Sequence, residues 1–522
     1  MTVRLTRRGF VQAAGAAVLA SACGDDEARR PDTAPDIGGD LPDVADTSIA
    51  TAPDTADTSA TTDSAPAETD AAPDVDADAD TGPHPIGVFD PSQASEDEDA
   101  FRFGVQAGDP DRNGAILWTH FAAAGGGSPG LEVVVFEDGA EGATGDLYLR
   151  QAVTPSDSGF VHVEVTGLAP DARYRYAFVV VPAGGDAPSA RSRVGRFRTA
   201  PAERTLRVVT FGGVSCVNQS YRPYRTLTRA AEGDLDFFLL TGDAAYMDGA
   251  LSLADYRELW RQAYDTDGYR ALFAACGIYG TWDDHEVYDN WDPERVAPDI
   301  LAAAKTAYLE HSALRLDPRA SGWKIWRSQR WGRTVEVFVL DCRSERKPST
   351  RMSADATYLS RAQMDWLKKG LHDSPCVFKI IANTVPITDM PVTYPQDKDR
   401  WEGYPAQRDE ILGLTKSIPG VLWLSGDFHF GAVCSVDPPG GRFEAQWEVF
   451  MGQGANMPNP VWPALADIQP QFAFVTGTNN YVRFVCDPIA DPPTLTATFI
   501  DGDGAELYTQ AFQLGAQKPE EP

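Results

Sequence analysis

The sequence has no Cys-x-x-Cys pair, although it holds seven cysteines. They are scattered at positions 23, 216, 276, 342, 376, 434 and 486, which excludes a tight disulfide framework. There is no Gly-rich phosphate cradle of the P-loop type, so nucleotide binding in that manner is excluded. There is no Gly-x-Ser-x-Gly elbow, which argues against a serine esterase of the α/β-hydrolase kind. No cluster of Lys and Arg marks a nucleic-acid face. No internal repeat is visible, and the core has no apolar run of the roughly 20 residues that span a bilayer.

Aromatic residues and hydrophobic periodicity are almost absent from residues 24–99, which are Asp, Ala, Thr and Pro. Such a stretch cannot bury enough apolar surface to offset its lost entropy, and it reads as a disordered acidic tether. It carries about −20 of the formal net charge of −31, so the acidity belongs mostly to the tether. Ahead of it, residues 1–23 have the plan of a signal peptide. Arg7 and Arg8 precede Gly9 and Phe10, a short apolar run follows, and Ala20-Ser21-Ala22 stands before Cys23. The paired arginines predict export by the twin-arginine route to the periplasm or cell surface. Ala-Ser-Ala suits ordinary signal peptidase. Leu19 to Cys23 also resembles a lipoprotein box, which would place a lipid anchor on Cys23 as the chain's one contact with a membrane.

Two folded parts follow. Residues 100–200 show short, partly alternating runs with turn residues between them, among them "GAILWTHF", "LEVVVFED", "GFVHVEVTGL" and "RYRYAFVVV". They predict a small all-β sandwich of the immunoglobulin or fibronectin kind. Residues 205–515 alternate near-continuous apolar runs with amphipathic stretches such as "LADYRELWRQAY" and "RAQMDWLKKGLH". That alternation predicts an α/β domain with buried strands. Functional groups in such sheets gather at the carboxyl ends of the strands.

The strand ends carry the chemistry. Cys216 ends "LRVVTFGGVSC". Asp243 and Tyr246 follow "LDFFLLTGD", and Asp283, Asp284, His285 and Glu286 follow "CGIYGTW". Asp341 and Arg343 end another strand, Asn383 ends "CVFKIIAN", and Asp427 and His429 end "GVLWLSGDFH". One Gly-Asp after a strand is ordinarily a turn. Five or six endings that all supply metal-type ligands point to a two-metal site, where paired cations activate water and neutralise phosphoryl charge.

The ordered series "FGVQAGDPDRNGAILWTHF", "SC", "GDAAY", "WDDHE", "LDCRSER", "WEGYPAQRDEIL" and "SGDFHF" resembles the D-type alkaline phosphatase (PhoD-like) family of calcineurin-like metallophosphatases. The likeness covers about residues 100–510. It implies a layered α/β/β/α sandwich preceded by the small β-sandwich. It implies iron(III) held by Cys216, Asp243, Tyr246 and His429, with Asp243 bridging to calcium. Calcium would be held by Asp243, Asp284, Asp427 and Asn383, with Asn290 a further candidate contact. Thiolate and phenolate suit ferric iron and hard oxygens suit calcium, though zinc and manganese stay compatible with the same ligand types.

The resemblance implies an exported enzyme that hydrolyses phosphomonoesters, phosphodiesters or both. Hydroxide generated by the metals would attack phosphorus, and His285 would steady or protonate the departing oxygen. Arg343 has two readings, a bidentate phosphoryl clamp or a structural ion pair with Asp341 or Glu345. Asp283, Glu286 and Asp289 orient ligands in one reading and are surface charge in the other. The expected partner is a small phosphate ester, with no nucleic acid as regulator, and the chain is expected as a monomer. The rival reading is a surface-tethered binding module with this fold and no turnover.

Overall fold

The strand Val209–Val217 reads VTFGGVSCV, and every residue but Thr210 is buried. A strand covered on both faces needs such a continuous apolar run, and a computed structural model places it at the centre of the larger sheet. The structure describes residues 82–122, 130–182, 184–185, 187–316, 322–390, 400–459 and 469–515. The signal segment with Cys23, and residues 24–81 of the tether, lie outside the described residues.

Val209–Val217 pairs in parallel with Phe237–Thr241, which pairs in parallel with Gly277–Thr281. A second sheet carries Val335–Val339, Phe378–Ala382, Val421–Ser425 and Trp447–Met451, each parallel to the next. The two sheets enclose an apolar layer that includes Phe211, Phe237, Ile380, Leu424 and Phe484. Phe211 stacks between Phe237 and Phe484, with ring centroids 4.8 and 4.7 Å away. Helices Leu253–Tyr264, Asp267–Ala275 and Pro298–His311 pack on the outer side of the first sheet. Arg361–Asp373 and Pro405–Thr415 pack outside the second. The result is the expected α/β/β/α layering. Both sheets aim the carboxyl ends of their parallel strands at one edge.

Helix starts follow capping chemistry. Ser252 Oγ accepts from Asp255 N, and Ser360 Oγ accepts from Gln363 N, at 3.3 and 3.2 Å. The helix predicted over "LADYRELWRQAY" is found with those bounds.

The N-terminal strands behave differently from a free-standing sandwich. One sheet contains Gly87–Phe89, Gly130–Glu137, Gly145–Val153 and Arg173–Val181. Val105–Gly108, Ala115–His120 and Phe160–Val165 instead extend the first catalytic-side sheet, because Ala107 and Gly108 pair with Gly277 and Ile278. Arg327 closes the seam with a bidentate pair on Asp109, at 2.7 and 2.5 Å. Leu168-Ala169-Pro170 forms a corner ahead of the strand Arg173–Val181, with Tyr174 OH accepting from Ala169 N at 3.0 Å.

The tether's far boundary needs correction. Residues 87–99, read as part of it, form ordered structure. Gly87–Phe89 pairs with the strand Gly145–Val153, and Phe89 buries its ring 4.9 Å from Phe136. The one buried side chain of that strand, Phe89, anchors it as an edge strand despite the acidic flank.

All six cysteines from 216 onward are buried and unpaired. Among the described residues, no helix is long and apolar enough to cross a membrane.

Candidate metal centre

The ligand-bearing strand ends are strained in a shared way. Cys216, Asp243, Asp427 and His429 have φ of 56, 54, 67 and 54°. Non-glycine residues rarely take left-handed backbone, which costs of order 1–3 kcal/mol each and persists only where the surroundings enforce it. The turns turn inward at two glycines that no larger residue can replace. A Cβ on Gly426 would lie 2.0 Å from Ser215 Oγ, and one on Gly242 would lie 2.4 Å from Asp283 Cβ. The "SGD" and "TGD" spellings are therefore packing requirements as well as turn signals.

These turns converge on Asp243. Ligand atoms of Cys216, Asp243 and His429 all lie within 4.8 Å of one another, and so do those of Asp243, Asp284 and His285. Cys216 Sγ is 3.4 Å from Asp243 Oδ2, and Tyr246 OH is 3.0 Å from His429 Nε2. A third group joins Asp283, Asp284 and Asp427. One buried carboxylate thus stands between a sulfur, phenol and imidazole set and an oxygen set.

The electrostatics of the centre call for cations. Burial, then the neighbouring Asp243 carboxylate, pushes the Cys216 thiol well up. Burial, then Asp284, pushes Asp243 well up. Burial, followed by Cys216 and Asp243, raises the Tyr246 phenol. Anionic ligands crowded in a dry site resist ionisation until positive charge arrives. Burial also lowers His429 to about 4, which leaves its imidazole neutral and able to ligate. Asp284 Oδ1 is buried without a hydrogen-bond partner, which is the state expected of a carboxylate oxygen reserved for a metal. The residues present fit a two-metal centre.

His285 is set for proton work. Its Nδ1 lies 2.8 Å from Asp248 Oδ2, and its ring stacks on Tyr246 with centroids 3.9 Å apart. Burial opposes its charge, but Asp284, Asp243 and Asp248 outweigh burial and raise the imidazole well above its ordinary value. With Nδ1 tied to Asp248, Nε2 lies 3.8 Å from Asp289 Oδ1, beyond hydrogen-bond distance of that carboxylate.

Two predicted roles are corrected. Asn383 has its amide spent. Its Oδ1 accepts from Cys342 Sγ at 3.0 Å and from Trp401 Nε1 at 3.2 Å, and its Nδ2 donates to Val385 O. It shapes the strand end and is not placed to bind calcium. Arg343 is fully buried and bonds both oxygens of Asp283, at 2.6 and 2.7 Å, and Asp427 Oδ1 at 3.1 Å. The structural ion-pair reading fits this geometry, with Asp283 and Asp427 as partners that sequence proximity did not indicate. Its backbone N bonds Asp341, but its guanidinium goes to the acidic cluster.

Asp283 is accordingly an internal counter-ion, with Thr384 Oγ1 donating to it at 2.6 Å. Glu286 is fully buried and ties two ligand loops together, accepting from Ala244 N at 2.7 Å and Asp283 N at 2.8 Å. Asn290 supports Asp284 through its backbone N, at 2.6 Å, while its side chain turns to Asp289. Trp282 and Trp401 are fully buried packing residues.

Sequence reasoning missed Asp248 and Asn456. Asp248 lies five residues beyond Asp243 in the same turn, and its acidic type was the available signal. Asn456 follows the strand Gln453–Ala455 and donates to Tyr246 OH at 2.6 Å. Its strand is three residues long, too short to register as one more ligand-bearing ending.

Comparison with known proteins bears on the family and the fold. The family model for the PhoD-like phosphatase N-terminal domain matches residues 88–201, and that for PhoD-like phosphatase matches residues 209–459. Alkaline phosphatase D of Bacillus subtilis (strain 168) is 29% identical over 409 residues, covering 66% of this chain and 67% of that one. A solved structure of PhoD superposes with a TM-score of 0.68 at 24% identity, covering 79% of this chain and 90% of that one. A purple acid phosphatase from yellow lupin (Lupinus luteus) seeds superposes with a TM-score of 0.55 at 12% identity, covering 78% and 74%. The two superpositions speak for the fold. The two family models follow one another in order and together span well over half of the sequence, so the chain belongs to the PhoD-like phosphatase family.

Proposed function

We propose that this chain is an exported metal-dependent phosphoesterase acting on small phosphomonoesters and phosphodiesters. The observation that carries the reading is the convergence of Cys216, Tyr246 and His429 on one side of Asp243 and of Asp284 and His285 on the other. Cys216, Asp243, Tyr246 and His429 would hold iron(III), and Asp243, Asp284 and Asp427 would hold calcium. When bound, the metals supply an activated water and positive charge for the phosphoryl oxygens. His285 Nε2 would give its proton to the departing oxygen while Asp248 fixes the ring through Nδ1. Arg343 and Asp283 keep Asp427 and the 282–286 turn in place and do not touch the substrate.

Export rests on the paired arginines and the small-residue cut before Cys23. Six buried, unpaired thiols suit a chain that folds in a reducing compartment before transport, as the twin-arginine route requires. A lipid on Cys23 would make the membrane a tether only.

The test pairs hydrolysis of p-nitrophenyl phosphate and bis(p-nitrophenyl) phosphate across the alkaline range with elemental analysis of natively exported protein. Metal-loaded protein that hydrolyses neither ester contradicts the enzymatic reading and favours a binding module. A tyrosinate on ferric iron absorbs visible light, so colourless, iron-free and active protein contradicts only the choice of metal.

A further inference from the structure

Asn456 touches two of the groups assigned to the first metal, and no sequence signal pointed to it. Its amide orientation is fixed, because Oδ1 accepts from the backbone N of Met457 at 2.7 Å. The NH2 group therefore faces the centre. It lies 2.6 Å from Tyr246 OH and 3.1 Å from His429 Nε2, and those two atoms are 3.0 Å apart.

An amide nitrogen has two hydrogens and no usable lone pair. It can give one hydrogen to each neighbour and accept from neither. The phenol oxygen must accept from it, and so must the imidazole Nε2. The contact selects the His429 tautomer that carries its hydrogen on Nδ1, with the Nε2 lone pair held by the amide hydrogen until a metal takes that hydrogen's place. Asn456 itself is positioned by register. Ser215 and Val217 pair with Gln453 and Ala455, which carries the next residue up beside the Cys216 turn. Asn218 N donates to Ala455 O at 2.8 Å, and Asn456 N donates to Asn479 Oδ1 at 3.3 Å. The side chain is 4% exposed.

We infer that Asn456 is a positioning residue of the metal centre: it holds Tyr246 OH and His429 Nε2 side by side, with His429 in the tautomer that can ligate, before any ion is bound. The inference rests on the metal-centre reading above. It extends that reading by assigning the pre-organisation of the phenol and imidazole pair to a residue that does not ligate. Groups that orient metal ligands in this way typically change affinity by 10–100-fold when removed.

The test uses chelator-stripped full-length protein titrated with cobalt(II), followed by the thiolate charge-transfer and visible bands. Two variants are compared with the parent. Asn456→Leu keeps the approximate volume and removes the donor, and Asn456→Ala removes both, so a variant lost to misfolding leaves the other to decide. Thermal melting of the stripped proteins checks the fold. The expected result is cobalt affinity at the thiolate site weaker by roughly 10-fold or more in each folded variant. Variants that bind cobalt as tightly as the parent, with the same bands, overturn the role of Asn456 alone. A parent protein that shows no thiolate band at saturating cobalt overturns the metal-centre reading and this inference together.

Discussion

Arg343 and Asp283 form a bidentate ion pair with no solvent access to either side chain. Nε and Nη2 of the arginine lie 2.6 and 2.7 Å from the two carboxylate oxygens. The pair sits directly behind the acidic half of the candidate metal centre. It supplies positive charge that the protein carries permanently, in a place where Asp284 and Asp427 also lie within ion-pair range, at 3.7 and 3.1 Å.

Breaking that pair should cost stability as well as activity. Arg343→Met leaves a buried carboxylate without its partner, for which roughly 3–5 kcal/mol is expected. Arg343→Lys keeps the charge but not the fork, and should cost less. Urea unfolding of the metal-free proteins measures both. A methionine variant within about 0.5 kcal/mol of the parent would contradict the assignment of Arg343 as an internal counter-ion.

Asp248→Asn should lower turnover while leaving metal content unchanged, because the carboxylate orients His285 and favours its charged form without ligating. General acid catalysis contributes about 10²–10⁴-fold. His285→Ala should therefore lose activity within that range, and Asp248→Asn a smaller share of it. The loss should be greater for esters with poor leaving groups, which need the proton most. Equal losses for good and poor leaving groups would speak against proton transfer from His285.

Cys216→Ser should keep the fold and lose the metal of the sulfur-bearing site. The thiol is buried against Asp243, so serine fits the space, but it ionises far less readily. Elemental analysis and the visible spectrum report the outcome together. Full metal content with an unchanged spectrum would remove Cys216 from the ligand set.

Acid sensitivity should arise partly from His311, far from the strand-end cluster. Burial lowers its imidazole to about 3, and Trp260 stacks on it with centroids 5.3 Å apart. The unfolded chain takes up this proton near pH 6.5 and the fold refuses it. The contribution is fully present above pH 6.5 and is lost as pH falls from there towards 3, at about 1.4 kcal/mol per unit. Between pH 7 and 5, His311→Gln should therefore lose about 2 kcal/mol less stability than the parent. Parallel pH profiles of unfolding free energy for the two proteins would contradict it.

Much of this centre was legible in the sequence because its ligands obey a simple rule of placement. Apolar strand, glycine, then ligand is visible at Gly242-Asp243 and Gly426-Asp427, and the structure shows why the glycines are there. The helix Leu253–Tyr264 was equally legible, since its cap and its apolar stripe agree. Asn383 misled because a strand end supplies an amide to a neighbouring tryptophan as readily as to a metal, and Trp401 is distant in sequence. Arg343 misled for a similar reason. Its partner Asp283 lies sixty residues earlier, on a different sheet, and sequence proximity suggested Asp341 and Glu345 instead. The continuity of the sheet across residue 200 was invisible because pairing of Gly277 with Ala107 leaves no local pattern.

Asp243 is the residue on which the account stands, since both halves of the centre share it. The most direct measurement is elemental analysis of natively exported parent protein and Asp243→Asn, alongside phosphoester hydrolysis. The account predicts two metal ions per parent chain, loss of both in the variant, and loss of hydrolysis with them. A variant that keeps two ions and hydrolyses esters at the parent rate would contradict it.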